Sequence, residues 1–310
     1  MENKLNNLTI LVNTCDKYDD LWQPFFKLLK KYGAELVNCP IVLNADKKQY
    51  HYEDLNITCP NNYETNESWG KRIKNCLKTI KTDYVLFLLD DFFLQKVVDI
   101  ETIKNCINWL DKNDNVACFN FISLESAQIE SQQYKNFCEI PAGSKYRLNA
   151  QAAIWKKSVL NDSLLDCENA WEWEILGNIR NRTILKGFEI YALKYGERSP
   201  YDYNFIDYEH SNKNSIKVYS AIMRGKWLPQ VIEKCFNEND ITIDYSVRGI
   251  YTTPIEKKDN IVTKFFKLTK RIIRRLLRPF NKQFNKLVKK PIREFKKTLK
   301  TNKQKASTNC

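Results

Sequence analysis

Two adjacent carboxylates, Asp90 and Asp91, follow the most apolar run of the chain, Tyr84 to Leu89, and precede Phe92-Phe93-Leu94. Acidic side chains at the end of a hydrophobic segment are costly to desolvate unless water, a partner or a cation compensates them. A hard divalent ion such as Mg²⁺ or Mn²⁺ takes one or two carboxylates and completes its shell with phosphate oxygens and water. The pair therefore suits a metal–diphosphate unit, or, more simply, a turn or a helix cap. Other chemistries are excluded or weakened. His51 and His210 are the only histidines, too few for a His-rich zinc site and a poor basis for a Ser-His-Asp triad. No GxxxxGK[ST] phosphate loop is present. The ten cysteines stand singly, none in CxxC spacing, and read as free thiols in a reducing cytosol.

The elements that must position the acidic pair follow from periodicity. Leu8 to Asn13 reads as a buried strand that ends in polar Thr14, Cys15 and Asp16. Apolar residues at 21, 22, 25, 26, 28 and 29 give a helix, and Ser68 is placed to cap another from Trp69 to about Ile80. Tyr84 to Leu89 is apolar on both faces, as a central strand of a covered sheet must be. A helix near Ile100 to Leu110 and a strand from Val116 to Ile122 continue the alternation. The pattern predicts an α/β sheet with ligands at the C-terminal strand ends. Further on, 123–144 reads as an irregular loop, 152–160 and 171–182 as helices, 188–193 as a strand, and 216–238 as two short helices divided near Pro229.

At these residues the chain resembles the nucleotide-sugar glycosyltransferases of the GT-A fold, and is similar to glycosyltransferase family 2 of the bacterial surface-polysaccharide type. The likeness is carried by LTILVNTCDKYDDLW, NESWGKRIKNCLKTIKTDYVLFLLDDFFL, YRLNAQAAIWKKSVL and ENAWEWEILGNIRNR, which together span roughly residues 8–240. It implies a Rossmann-type central mixed sheet flanked by helices. It also implies a DxD-like motif for the metal, Mn²⁺ or Mg²⁺, and for the donor diphosphate; here the motif reads Leu89-Asp90-Asp91, a variant. On this resemblance Asp91 is the metal ligand, with His210 as a further one, and Thr14, Asp16, Arg72 and Asp90 contact the donor. Gln151, Trp155 and Trp171 lie on the acceptor side. An inverting transferase also needs a carboxylate to deprotonate the acceptor hydroxyl. Glu174, then Glu172, then Glu168 are the candidates, set among Trp171 and Trp173.

Charge divides the chain in two. Residues 251–310 hold 19 Lys and Arg against 3 Asp and Glu, whereas residues 1–250 hold 31 against 34. Residues 1–250 are therefore expected to be the catalytic domain, and 251–310 a basic amphipathic helical tail. Between Ile261 and Phe280 bulky apolar residues repeat at helical spacing with Lys and Arg between them. That pattern suits an anionic membrane surface, reached through residues 261–300, better than nucleic acid. No apolar run approaches bilayer-spanning length, and the first residues lack a signal-peptide pattern. The expected protein is a cytoplasmic enzyme, peripheral on the inner face of the cell membrane, that moves a sugar from a nucleotide donor to a glycan or lipid-linked glycan. A nucleotidyltransferase-like enzyme and a non-catalytic glycan-binding protein are the alternatives.

Overall fold

The computed structural model describes residues 4–60, 67–212 and 215–252. Residues up to Tyr251 form one compact unit, and Thr252 begins another. The tail from 253 onward, including its expected membrane-binding segment, lies outside the described residues.

The first unit is built on a nine-stranded mixed sheet. Strands β1 (Leu8–Asn13), β2 (Ile41–Asn44), β3 (Ile57–Thr58) and β4 (Tyr84–Leu89) run parallel in the order β3-β2-β1-β4. Strand β8 (Ala153–Lys156) then enters antiparallel between β4 and β5 (Val116–Ser123). Strand β9 (Glu189–Leu193) pairs parallel to β5, and β7 (Phe137–Glu139) with β6 (Ile129–Glu130) closes the far edge. The register of β1 on β4, Leu8 to Tyr84 through Asn13 to Leu89, is unbroken. The polar residues after both strands therefore emerge side by side.

Both faces of the sheet are covered, which is why β4 is apolar throughout and β1 is apolar but for Thr9 and Asn13. Leu8, Ile10 and Val12 join Leu86 and Leu88 in a core on one face, with residues of α1 (Trp22–Tyr32), α3 (Ile100–Lys112) and α7 (Pro229–Asn237). Leu11, Val85 and Phe87 join the opposite core with α2 (Trp69–Thr79) and α4 (Lys157–Ser163). The period-2 alternation of strand side chains delivers successive residues to the two cores.

The structure departs from three local expectations. Residues 152–160 begin as strand β8 and turn helical only at Lys157, because Ala153 to Lys156 complete ladders on both sides. Pairing in the sheet overrides the local preference. The segment 123–144 carries the β6–β7 edge, where Tyr134 and Phe137 pack with Trp109, Phe119 and Tyr191 in an aromatic cluster. Residues 216–238 hold strands β11 (Ser215–Tyr219), β12 (Ile222–Met223) and β13 (Lys226–Trp227) before the single helix α7. Pro229 starts that helix rather than dividing two, consistent with its preference for the first helical turn. The β12–β13 turn places Arg224 and Gly225 at φ 53° and 80°, the left-handed pair that a tight hairpin requires.

Candidate active site

The C-terminal ends of β1, β2 and β4 form one rim. Asn13 and Asn44 are joined there by an Asn44 Nδ2 to Asn13 Oδ1 hydrogen bond of 2.9 Å. Beyond them Thr14 is buried, and its hydroxyl donates to Asp90 Oδ2. The Trp22 indole N–H donates to the same Thr14 oxygen at 2.8 Å. An indole N–H can only donate. The Thr14 proton is thereby directed at the carboxylate, and Asp90 is fixed by a buried chain from α1 through β1.

Asp91 is held from a different direction. Ser220 Oγ donates to its Oδ2 at 2.6 Å, and the same oxygen accepts from the Ile222 N–H at 3.3 Å. Ser220 lies between β11 and β12, so the second carboxylate is set by the C-terminal part of the unit. Burial, then the charge of Asp91, push the Asp90 carboxyl well above the usual carboxylate range against the opposing effects of Thr14 and Arg248. Burial also raises Asp91, opposed by the Ser220 hydroxyl and by Arg248. Two crowded acids that both resist ionisation are a site short of positive charge.

Arg248 supplies some of that charge. It ends α8 (Tyr245–Arg248), and its side chain is only 6% exposed. Its guanidinium pairs with Asp20, through Nε at 2.8 Å and through Nη2, and lies 4.5 Å from the Tyr18 ring centre. Its charge favours ionisation of both Asp90 and Asp91.

The other expected donor contacts brace the rim. Arg72, in the first turns of α2, donates to the carbonyl oxygens of Thr14 at 2.9 Å and Asn44 at 3.1 Å and pairs with Asp46 at 2.6 Å. Asp16 accepts from the backbone N–H groups of Asp46, Lys47 and Lys48, and its own N–H donates to Asp46. Despite the cost of burial, those N–H groups hold the Asp16 carboxyl below its usual range. Its carboxylate thereby clasps the loop after β2.

The three glutamates separate by what they touch. Glu168 is fully buried, bonded to Arg180 and to the Leu165 N–H. Glu172 completes a capping box with Asn169: each side chain accepts from the other's backbone N–H, at 2.9 and 3.1 Å. Glu168 is thus held in an ion pair and Glu172 in a helix cap. Glu174 is half-buried and accepts from the Ala150 N–H at 2.9 Å. Burial raises its carboxyl above the usual range, with the Ala150 N–H opposing. It sits in a π-helical turn, Trp173–Gly177, between α5 (Ala170–Glu172) and α6 (Asn178–Ile184). Such turns inside helices are frequent at functional sites.

The acceptor-side residues divide. Gln151 follows Ala150, and its Oε1 accepts from the Tyr203 hydroxyl at 2.8 Å. Tyr203 packs against Phe92, 4.3 Å between ring centres with the rings tilted by 30°, and feels the Asp91 charge. Contacts therefore lead from Glu174 through Ala150, Gln151 and Tyr203 to Phe92, the residue after the acidic pair. Trp155 contradicts its expected role: it is 0% exposed and packs in the core 6.2 Å from Trp173. A ring with no accessible face cannot stack on a ligand. Trp171 is 66% exposed. His210 falls on strand β10 (Phe205–Asn212), and its side chain lies outside the described residues.

A divalent cation fits this rim by donor chemistry. Two carboxylates and a serine hydroxyl are hard oxygen donors, and burial raises both carboxyls. Among the described residues no group of three His, Cys, Asp or Glu gathers as a complete metal site. Phosphate oxygens and water would have to fill the shell, as is usual for Mg²⁺. Sequence reasoning missed Trp22, Ser220 and Arg248. Each is distant in sequence from the carboxylates, and only the topology brings them to one place.

No family model matches the chain, and no curated protein matches it. Among solved structures the chain is similar to S. aureus TarS 1–349, at 17% identity and a TM-score of 0.40, over 60% of this chain and 58% of that one. It is also similar to the mannosyltransferase PcManGT from Pyrobaculum calidifontis in complex with GDP-Man and Mn²⁺, at 12% identity and a TM-score of 0.34, over 50% and 45% of the two chains. A third similarity is to glucosyl-3-phosphoglycerate synthase from Mycobacterium tuberculosis in complex with Mn²⁺, UDP and phosphoglyceric acid, at 9% identity and a TM-score of 0.37, over 60% and 67%. The match with TarS 1–349 spans less than two-thirds of that chain's length.

Proposed function

We propose that this chain is a glycosyltransferase that moves a sugar from a nucleotide-diphosphate donor to a hydroxyl of a glycan acceptor. The observation that carries the reading is the Asp90–Asp91 pair at the shared C-terminal rim of parallel β1, β2 and β4, tied by Thr14 and Ser220 and faced by the charge of Arg248. Asp91 and Asp90 would hold Mn²⁺ or Mg²⁺, which when bound neutralises charge developing on the leaving diphosphate. Arg248, seated on Asp20, adds fixed positive charge that needs no reorganisation during the reaction.

Glu174 is the base. The acceptor oxygen attacks the anomeric carbon as the bond to the diphosphate breaks, and the acceptor proton passes to the Glu174 carboxylate. Direct displacement inverts the anomeric configuration. A raised carboxyl is a better proton acceptor once ionised, which suits the task. Gln151 is positioned through Tyr203 to meet the acceptor. The basic segment 261–300 brings the enzyme to an anionic membrane surface, as a peripheral protein on the cytoplasmic face, where a lipid-linked glycan would be presented.

The test is thermal stabilisation and turnover with UDP-, GDP- and CMP-sugars, with and without Mn²⁺. A donor at 100 times its dissociation constant adds about 2.7 kcal/mol to stability. Asp91→Asn should lose the Mn²⁺-dependent part of this stabilisation and the transfer activity while keeping the fold. An active Asp91→Asn enzyme would remove the metal assignment. Cleavage of bare nucleoside triphosphates would turn the reading to a nucleotidyltransferase, and no response to any nucleotide to a glycan-binding protein.

A further inference from the structure

The helix that carries Glu174 leaves an unpartnered apolar face. Residues 170–184 run without a break through α5, the π turn and α6. Trp171, Ile175 and Ile179, spaced four apart, are 66%, 48% and 60% exposed. Residues so spaced lie one above another on a helix. The opposite side is the one that packs: Trp173 is fully buried and Gly177 buried, while Glu174 and Asn178 turn to Ala150 and Leu148. Large apolar side chains concentrated on one surface mark an interaction site.

Charge identifies the occupant. At the C-terminal end of the stripe the exposed charged side chains are Arg182 and Lys186, and Lys145 lies on the loop whose Gly143 carbonyl accepts from Arg182 at 3.1 Å; at the other end the exposed Asp166 is paired with Lys74 at 3.0 Å. The carboxylates of this helix, Glu172 and Glu174, are half-buried and bonded inward. A Trp–Ile–Ile stripe beside Arg and Lys matches an element lying in a lipid interface, with the aromatic ring at headgroup level. We infer that the face formed by Trp171, Ile175 and Ile179, flanked by Arg182 and Lys186, docks on an anionic lipid surface. This surface belongs to the compact unit and is distinct from the basic tail. It would bring the Glu174 turn to the membrane itself, and it stands whether or not the transfer reading does.

The experiment uses the full chain with vesicles of phosphatidylglycerol and phosphatidylcholine whose acyl chains are brominated, and follows tryptophan quenching. Trp171 is the most exposed of the described tryptophans and should be quenched; Trp171→Phe should bind the same vesicles but lose that component. The double variant Ile175→Ser/Ile179→Ser, checked for fold by circular dichroism, should partition about tenfold more weakly, as expected from losing two partly buried apolar side chains. Vesicle binding with Trp171 unquenched would overturn the proposal, since the tail alone would then account for it. Failure to bind, equal quenching on pure phosphatidylcholine, or a dimer in sedimentation that dissolves in the double variant would also overturn it.

Discussion

Glu168, Glu172 and Glu174 are chemically alike in the sequence and differ only in what folding gives them. An arginine takes the first, a capping box the second, and a single backbone N–H the third. Under the proposed reading Glu174 receives the acceptor proton, and its raised carboxyl has two consequences. Folding holds its proton more tightly than the unfolded chain does. Its ionisation costs stability progressively as pH rises from the ordinary carboxylate range through its folded value, and the cost persists at neutral pH. Glu174→Gln should match the wild type at low pH and melt no lower at pH 7, while turnover falls on the order of 10²–10⁴-fold. Wild-type turnover should rise with pH through that same window. Melting curves and rate profiles across pH check both; unchanged turnover in the variant would move the base elsewhere. Asp91, Asp90 and Glu174 stood out in the sequence because acids beside apolar runs and tryptophans attract notice. Trp155 misled, since an aromatic residue reads the same in a core as in a sugar site, and burial alone separates the two.

At the scale of elements, α2 is pinned where it begins. Ser68, expected as a helix cap, gives its hydroxyl to the Asp166 carbonyl, and the Gly70 N–H donates to the Glu168 carbonyl at 2.8 Å. A Cβ on Gly70 would overlap the Leu165 carbonyl oxygen, so glycine is required by close backbone approach rather than by conformation. This contact couples the helix bearing Arg72 to the segment that leads into Glu174. Gly70→Ala should destabilise the protein by roughly 2 kcal/mol, because the obstructing atom is backbone and has little room to yield. Chemical denaturation measures it, and an unaltered midpoint would show the two segments to be separable. The parallel strands were readable because burial on both faces leaves continuous apolar runs. Strand β8 was not: four residues, about one helical turn, are too few to show a period, and its assignment comes from the ladders on either side.

Over the whole molecule, charge and burial divide the labour. The unit ending at Tyr251 has its own two cores, and the excess of Lys and Arg lies beyond it. A chain ending after Thr253 should keep the fold and donor binding but sediment less with anionic vesicles; undiminished co-sedimentation would assign membrane attachment to the compact unit alone. The sequence partition by charge was plain to read. The convergence of Thr14, Asp91, Ser220 and Arg248 was not, because it depends on contacts between residues up to 231 positions apart that no local pattern encodes. The central claim is that the Asp90–Asp91 rim grips a cation-bridged diphosphate. Its most direct test is a crystal grown with a nucleotide sugar and Mn²⁺. The account expects anomalous density for the metal on an Asp91 oxygen at about 2.0–2.2 Å, the distance of hard-cation carboxylate ligation, with the diphosphate on its far side. A nucleotide bound away from this rim, or a metal bound without either aspartate, would contradict it.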